Sequence, residues 1–183
     1  SEMCIRDRFI STILSLNKTR TEEDQNVLFW SFFVVNSWML IGGVMYKLKT
    51  KASFDSAHFL KDYEGKCSNI HGHRWTVEIE VGAETLESDT QNRGMVVDFS
   101  NLKKDLKEIA DYFDHSLIME TGSLKQATED ALIAENLRIV KVDFRPTAEN
   151  FAKYIYDEMT SRGYKVIEAS VYETPNNVAS YCE

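Results

Sequence analysis

"HGHRWTVEIEV", residues 71–81, is the stretch on which the fold turns. His71, His73, Trp75, Val77, Ile79 and Val81 alternate with Gly72, Arg74, Thr76, Glu78 and Glu80. An apolar and a polar set at period two make a strand with one face buried. Just upstream, "YKLKTKASFDSAH" (46–58) repeats the pattern. Tyr46, Leu48, Phe54 and His58 share one parity, while Lys47, Lys49 and Lys51 form a lysine-rich outer face. Residues 61–70 between them read as a loop. Downstream, "RGMVVDF" (93–99) reads as a short third strand after a turn around Asn92–Gly94. "SNLKKDLKEIADYF" (100–113) places Leu102, Leu106, Ile109 and Phe113 on one helical stripe. "SLKQATEDALIAEN" (123–136) reads as a smaller helix capped by Ser123. "RPTAENFAKYIYDEMTSRG" (145–163) starts at a Thr147 cap, carries Phe151, Ile155 and Met159 on a stripe, and stops at Gly163. "YKVIEASVYET" (164–174) closes with a strand. The order implies an α+β fold, an antiparallel sheet with helices on one face.

The 183 residues suit one domain, or one domain plus an appendage, and 43% apolar content supplies a core. With 21 Lys and Arg against 29 Asp and Glu, the net charge is −8, which argues against nucleic acid as a partner. Three cysteines, Cys4, Cys67 and Cys182, form no disulfide framework and point to a reducing, cytoplasmic setting. Residues 1–44 read differently from the rest. Val27 to Val44 is long enough for a membrane span, but Ser31, Asn36, Ser37, Gly42 and Gly43 weaken it. "MCIRDR" (3–8) resembles a translated sequencing adapter, and "GGV" before Met45 resembles a translated ribosome-binding site. The expectation is therefore a non-native segment over 1–44, a domain over 45–183 starting at Met45, and no membrane partner.

Two imidazoles two apart on a strand leave the same face, with alpha carbons about 6.6–6.8 Å apart. His71 and His73 can thus converge on one ion, and Gly72 between them admits a close neighbour. His58 ends the first strand on its apolar parity and supplies a third nitrogen. Three imidazoles with an open fourth position suit a catalytic zinc ion, though iron, copper and nickel accept the same donors. Three separately hydrogen-bonded histidines are the plainer alternative. So is a cupin motif from Gly65, His71, His73 and Glu78, which strand parity opposes because Glu78 faces away from His73.

Four other features suggest chemistry. Cys67, four residues before His71, would be a reactive thiolate beside a cation or an inert loop cysteine. Asp114 and His115 would be an acid–base couple or a helix end with a favourable imidazolium. Glu173 lies on the apolar parity of Ile167, Ala169 and Val171, and a buried carboxylate needs a partner such as paired N–H donors of a pterin. Thr147 and Glu149 read first as a helix cap and a first-turn acid.

Taken in order, "FDSAHFL", "KCSNIHGHRWTVEIEV", "GMVVDFSNLK", "FDHSL", "RPTAENFA" and "VYETPNNVASY" resemble the family of 6-pyruvoyltetrahydropterin and 6-carboxytetrahydropterin synthases, from Met45 to Glu183. The resemblance implies zinc on His58, His71 and His73, and catalysis by Cys67, Asp114 and His115. It also implies pterin anchoring by Glu173, with Thr147 and Glu149 near the pocket. It implies a four-stranded antiparallel sheet with helices on one face, joined into a barrel in a homo-hexamer made of two trimers, with sites between subunits. Cys-x-x-x-His-Gly-His spacing matches the queuosine-pathway branch. That branch converts 7,8-dihydroneopterin triphosphate to 6-carboxy-5,6,7,8-tetrahydropterin, acetaldehyde and triphosphate; the pyruvoyl branch uses the same substrate. Ser68 stands where a third branch carries glutamate. Lys66 and Arg74 are candidates for the triphosphate, and the segment 116–145 is longer than in compact members.

Overall fold

The computed structural model describes residues 45–183; the expectations for 1–44 lie outside the described residues. Alternation forms the two long strands as read: β1 (Tyr46–His58) pairs antiparallel with β2 (His71–Ala83), from Tyr46 opposite Ala83 to His58 opposite His71. That register places Ser56 opposite His73 and brings His58 level with His71. The close approach expected at Gly72 is observed, since a Cβ there would meet the Ser56 carbonyl oxygen at 3.3 Å. On the outer face, Lys47 and Lys49 each reach Glu80 at 2.8 Å, so the lysine row of β1 is matched by the acids of β2.

The helix α1 (Phe99–Phe113) begins at Asp98, whose carboxylate accepts from the Ser100 N–H at 2.6 Å. It buries Leu102, Leu106, Ile109, Ala110 and Phe113. After it come β3 (Ser116–Glu120), α2 (Gln126–Ala134), β4 (Ile139–Val142), α3 (Ala148–Ser161), β5 (Val166–Thr174) and β6 (Asn177–Tyr181).

The sheet order is β4-β3-β1-β2-β5-β6, with β3 parallel to β1 and β4 parallel to β3. Among the described residues the sheet is therefore six-stranded and mixed, not four-stranded and antiparallel. The extra parallel pair comes from segment 116–145, where runs of four and five residues are too short to show a period. β6 follows β5 through the turn at 175–176 as a further antiparallel partner.

Two local expectations also fail. Residues 93–98 form turns rather than a strand: Glu87 exchanges one pair of backbone hydrogen bonds with Gly94 and Met95, and Asp98 is committed to capping α1. Ser123 is buried but does not cap α2, which starts three residues later.

One sheet face is covered by α1 and α3. Between them lie Phe54, Trp75, Val77, Ile79, Ala169 and Val171 from the sheet, with Phe151, Ile155 and Met159 from α3. Phe54, Trp75, Phe113 and Phe151 have ring centroids 5.2–6.2 Å apart where they touch. This aromatic floor ends at the paired tips of β1 and β2, under the histidines. The second helix stands apart from the core: it buries only Glu129, which pairs with Lys141 of β4.

Candidate metal centre and acid–base pair

The in-register pairing of His58 with His71 decides the site. One nitrogen from each of His58, His71 and His73 lies within 4.8 Å of the others. Their rings sit 4.5–5.3 Å apart, and Trp75 meets His58 and His73 edge-on at 5.0 and 5.5 Å. His58 is 1% exposed.

Backbone carbonyls set the tautomers. His58 Nδ1 lies 2.7 Å from the Pro146 oxygen, and His71 Nδ1 lies 2.8 Å from the Asn69 oxygen. A carbonyl only accepts, so each neutral ring donates from Nδ1 and keeps its lone pair on Nε2. The Nε2 atoms of His58 and His73 are buried with no hydrogen-bond partner. Burial pushes His58 down to about 4, helped by its two imidazole neighbours and opposed by the Pro146 carbonyl. Burial lowers His73 too, against the pull of Glu173. Both rings are therefore neutral near pH 7, the form that ligates. Buried, unpartnered lone pairs from three convergent imidazoles fit a divalent cation, with outer ring nitrogens oriented as metal sites require.

The loop from 59 to 70 carries the thiol. Leu60 N–H donates to the Cys67 carbonyl at 2.8 Å, folding the short helical turn Lys66–Ser68 back toward the end of β1. Ser68 Oγ and Asn69 Nδ2 brace that turn through Gly65 and Lys66, and Asn69 then holds His71. Cys67 is half-buried and outside the group of ligand atoms. Glu173, near the end of β5, places Oε1 3.6 Å from His58 Nε2 and 3.7 Å from His73 Nε2. Thr147 accepts from the Asn150 N–H at 3.5 Å as the cap of α3, and Glu149 is exposed in its first turn. The cap is thus one residue from the carbonyl that orients His58.

The acid–base pair is formed, but elsewhere. His115 Nδ1 donates to Asp114 Oδ2 at 2.6 Å, and Asp114 Oδ1 accepts from the Asp55 N–H at 2.8 Å. That backbone hydrogen bond, then the imidazole, holds the Asp114 carboxyl below the usual carboxylate range. His115 adopts φ 51°, and its side chain is 80% exposed. It borders a cleft of about 800 Å³ shared with Asp55, Ala57, Gly72, His73, Arg74 and Arg138. Asp55, Ala57, Gly72 and Arg74 have the parity opposite to the trio, while Ser56 and His73 share it, so the cleft adjoins the tip of the sheet that carries the trio. Arg74 is also there, in a two-pronged contact with Asp55 at 2.6 and 3.0 Å.

Arg138, Asp55 and the carbonyls of Pro146 and Asn69 carry roles that the sequence did not announce. Arg138 donates to the Tyr112 and Asp114 carbonyls at 2.7 and 3.0 Å, clamping the turn that presents His115. Backbone acceptors leave no trace in side-chain identity. Only the position of Asp55 within "FDSAHFL" was a signal.

The profile of the family described as "6-pyruvoyl tetrahydropterin synthase" matches residues 47–183. The chain belongs to that family. A 6-carboxy-5,6,7,8-tetrahydropterin synthase from Haemophilus influenzae is 32% identical over 142 residues, covering 76% of this chain and all of the relative. Its counterpart from Aquifex aeolicus is 34% identical over 139 residues, covering 69% and 83%. Among solved structures, an uncharacterized protein from Wolinella succinogenes matches with TM-score 0.62 at 21% identity, covering 76% of this chain and 99% of that one. The 6-pyruvoyl tetrahydropterin synthase of Caenorhabditis elegans matches with TM-score 0.54 at 23% identity, covering 76% and 96%. At those identities the structures establish a shared fold, and the sequence relatives support a tetrahydropterin synthase activity. No helix of the described residues is long and apolar enough to cross a membrane.

Proposed function

We propose that this protein is a zinc-dependent 6-carboxy-5,6,7,8-tetrahydropterin synthase of queuosine biosynthesis. It converts 7,8-dihydroneopterin triphosphate and water into 6-carboxytetrahydropterin, acetaldehyde and triphosphate. The observation that carries the reading is the convergence of three imidazoles with buried, unpartnered nitrogens in a chain whose curated relatives bear that name. His58, His71 and His73 would hold the zinc. When bound, the ion supplies Lewis-acid stabilisation of charge developing on the substrate's side-chain oxygens.

The chain's own groups divide the remaining work. Cys67, as thiolate, accepts a proton from the substrate side chain, and His115 exchanges protons at the opposite position. Asp114 fixes the His115 tautomer by accepting from Nδ1, leaving Nε2 as the exchanging atom. Glu173 binds paired N–H donors of the pterin, with Thr147 and Glu149 at the edge of its pocket.

His115 is 80% exposed and stands outside the group that the three histidines form, and this favours a composite site. His115 of one protomer then completes the centre of a neighbour in a cytoplasmic homo-hexamer, a dimer of trimers.

The test incubates zinc-loaded protein with 7,8-dihydroneopterin triphosphate and measures acetaldehyde and the pterin product. Acetaldehyde with a 6-carboxy product is expected. A pyruvoyl product without acetaldehyde would move the protein to the other branch, and no conversion would remove the activity. Cys67→Ala should retain zinc and lose turnover; an active variant would exclude the thiol from the reaction.

A further inference from the structure

Glu173 is placed where a bystander carboxylate would be repelled. Its Oε1 faces His58 Nε2 at 3.6 Å and His73 Nε2 at 3.7 Å, too far for a hydrogen bond to either. His58 has no proton to offer on that side, because its Nδ1–H is committed to the Pro146 carbonyl. Both Nε2 atoms are buried and unpartnered. The Glu173 oxygen and the His58 lone pair thus face each other with His73 Nε2 beside them and no shared hydrogen bond, an arrangement that a cation between them makes favourable.

The spacing supports the same conclusion. Ligands about 2.0–2.1 Å from a tetrahedral ion lie about 3.3–3.4 Å from each other. The two observed separations exceed that by a few tenths of an ångström, and Glu173 lies outside the 4.8 Å group that the three histidines form, so its carboxylate must turn inward to complete the set. Carboxylate oxygen is an ordinary zinc donor beside imidazole.

We propose that Glu173 is the fourth ligand of the metal in the substrate-free protein and gives up that position to the vicinal hydroxyls of the incoming pterin side chain. The assignment rests on the metal-centre reading above and adds a resting state to it. With the metal bound, His58, His71, His73 and Glu173 would hold it at rest, and Glu173 would be free to contact the ligand once the substrate hydroxyls take its place. Glu173 can make that exchange. Its side chain is 30% exposed and sits one residue before the end of β5, next to the turn leading to Asn177. Three rotatable bonds carry the carboxylate, whereas His58 and His71 are pinned by carbonyls.

The test uses metal-free full-length protein reconstituted with Co²⁺ for visible spectra and with Zn²⁺ for chelator competition. Wild type is compared with Glu173→Ala and Glu173→Gln, each with and without neopterin as the hydroxyl-bearing probe. Without neopterin, Glu173→Ala should bind Zn²⁺ at least about 10-fold more weakly and show an altered Co²⁺ band. Saturating neopterin should bring the wild-type and variant spectra together. Glu173→Gln preserves shape if the alanine variant misfolds, and it should show the same spectral change in smaller degree. Equal Zn²⁺ affinity within twofold and superimposable Co²⁺ spectra in the absence of neopterin would overturn the assignment, even in a protein that converts dihydroneopterin triphosphate. Glu173-dependent affinity in a protein that converts nothing would keep the ligand assignment and sink the proposed reaction instead.

Discussion

Metal-free protein should lose about 2 kcal/mol of folding stability between pH 7 and pH 5 because of His58 alone. The imidazole is fully buried, and its pKa falls from the ordinary 6.5 to about 4. The unfolded chain therefore takes up a proton at pH values where the folded chain refuses it. A depressed folded value means that the stability is intact above 6.5, declines as pH falls through the window, and is fully lost below about 4. Complete loss over that window would be about 3 kcal/mol, of which about 2 has gone by pH 5. The assay is urea unfolding of chelator-stripped protein at several pH values and one fixed protomer concentration, since subunit association would otherwise shift the midpoint. Other groups titrate in the same range, so the informative quantity is the difference from His58→Asn, which keeps a donor near Nδ1 but cannot titrate. The gap between wild type and variant should shrink, or change sign against the wild type, by about 2 kcal/mol as pH drops to 5. A gap that stays constant with pH would mean that His58 is not the desolvated neutral imidazole on which the metal reading depends.

Inactive Cys67→Ala and His115→Ala proteins, mixed one to one and reassembled, should recover about a quarter of wild-type turnover if each site draws these residues from two protomers. No recovery after verified subunit exchange would put both residues in one chain's site. Arg138→Ala should lower kcat about 10- to 100-fold by loosening the turn that presents His115, with zinc content unchanged; an unaltered kcat would reduce Arg138 to a helix-end contact. Asp98→Ala should cost about 1 kcal/mol by removing the cap of α1, read as a shift of the urea midpoint.

Much of the candidate site's placement is legible in the sequence. The strand parities of 46–58 and 71–81 put His58, His71 and His73 on the face that the structure buries, and the stripes of α1 and α3 appear as read. Long elements with an unbroken period carry that information in each residue, because one wrong parity would bury a lysine. The short elements do not. Ile139–Val142 and Ser116–Glu120 become strands because β1 leaves its edge free to pair beside Asp55–His58, a neighbour that is remote in sequence. "GMVVDF" looked like a strand by composition, but Asp98 was worth more as a cap.

The amino-acid order alone determined which face of each long strand is apolar, and hence that three imidazoles belong to one side of one sheet. Tertiary structure decided the rest: the register that sets His58 level with His71, the carbonyls that fix the tautomers, the carboxylate of Glu173 against two nitrogens, and the φ 51° turn that leaves His115 exposed. Side-chain periodicity is a local property written residue by residue. Register, backbone acceptors and the meeting of distant strands depend on the whole packing, which no short stretch of chain encodes.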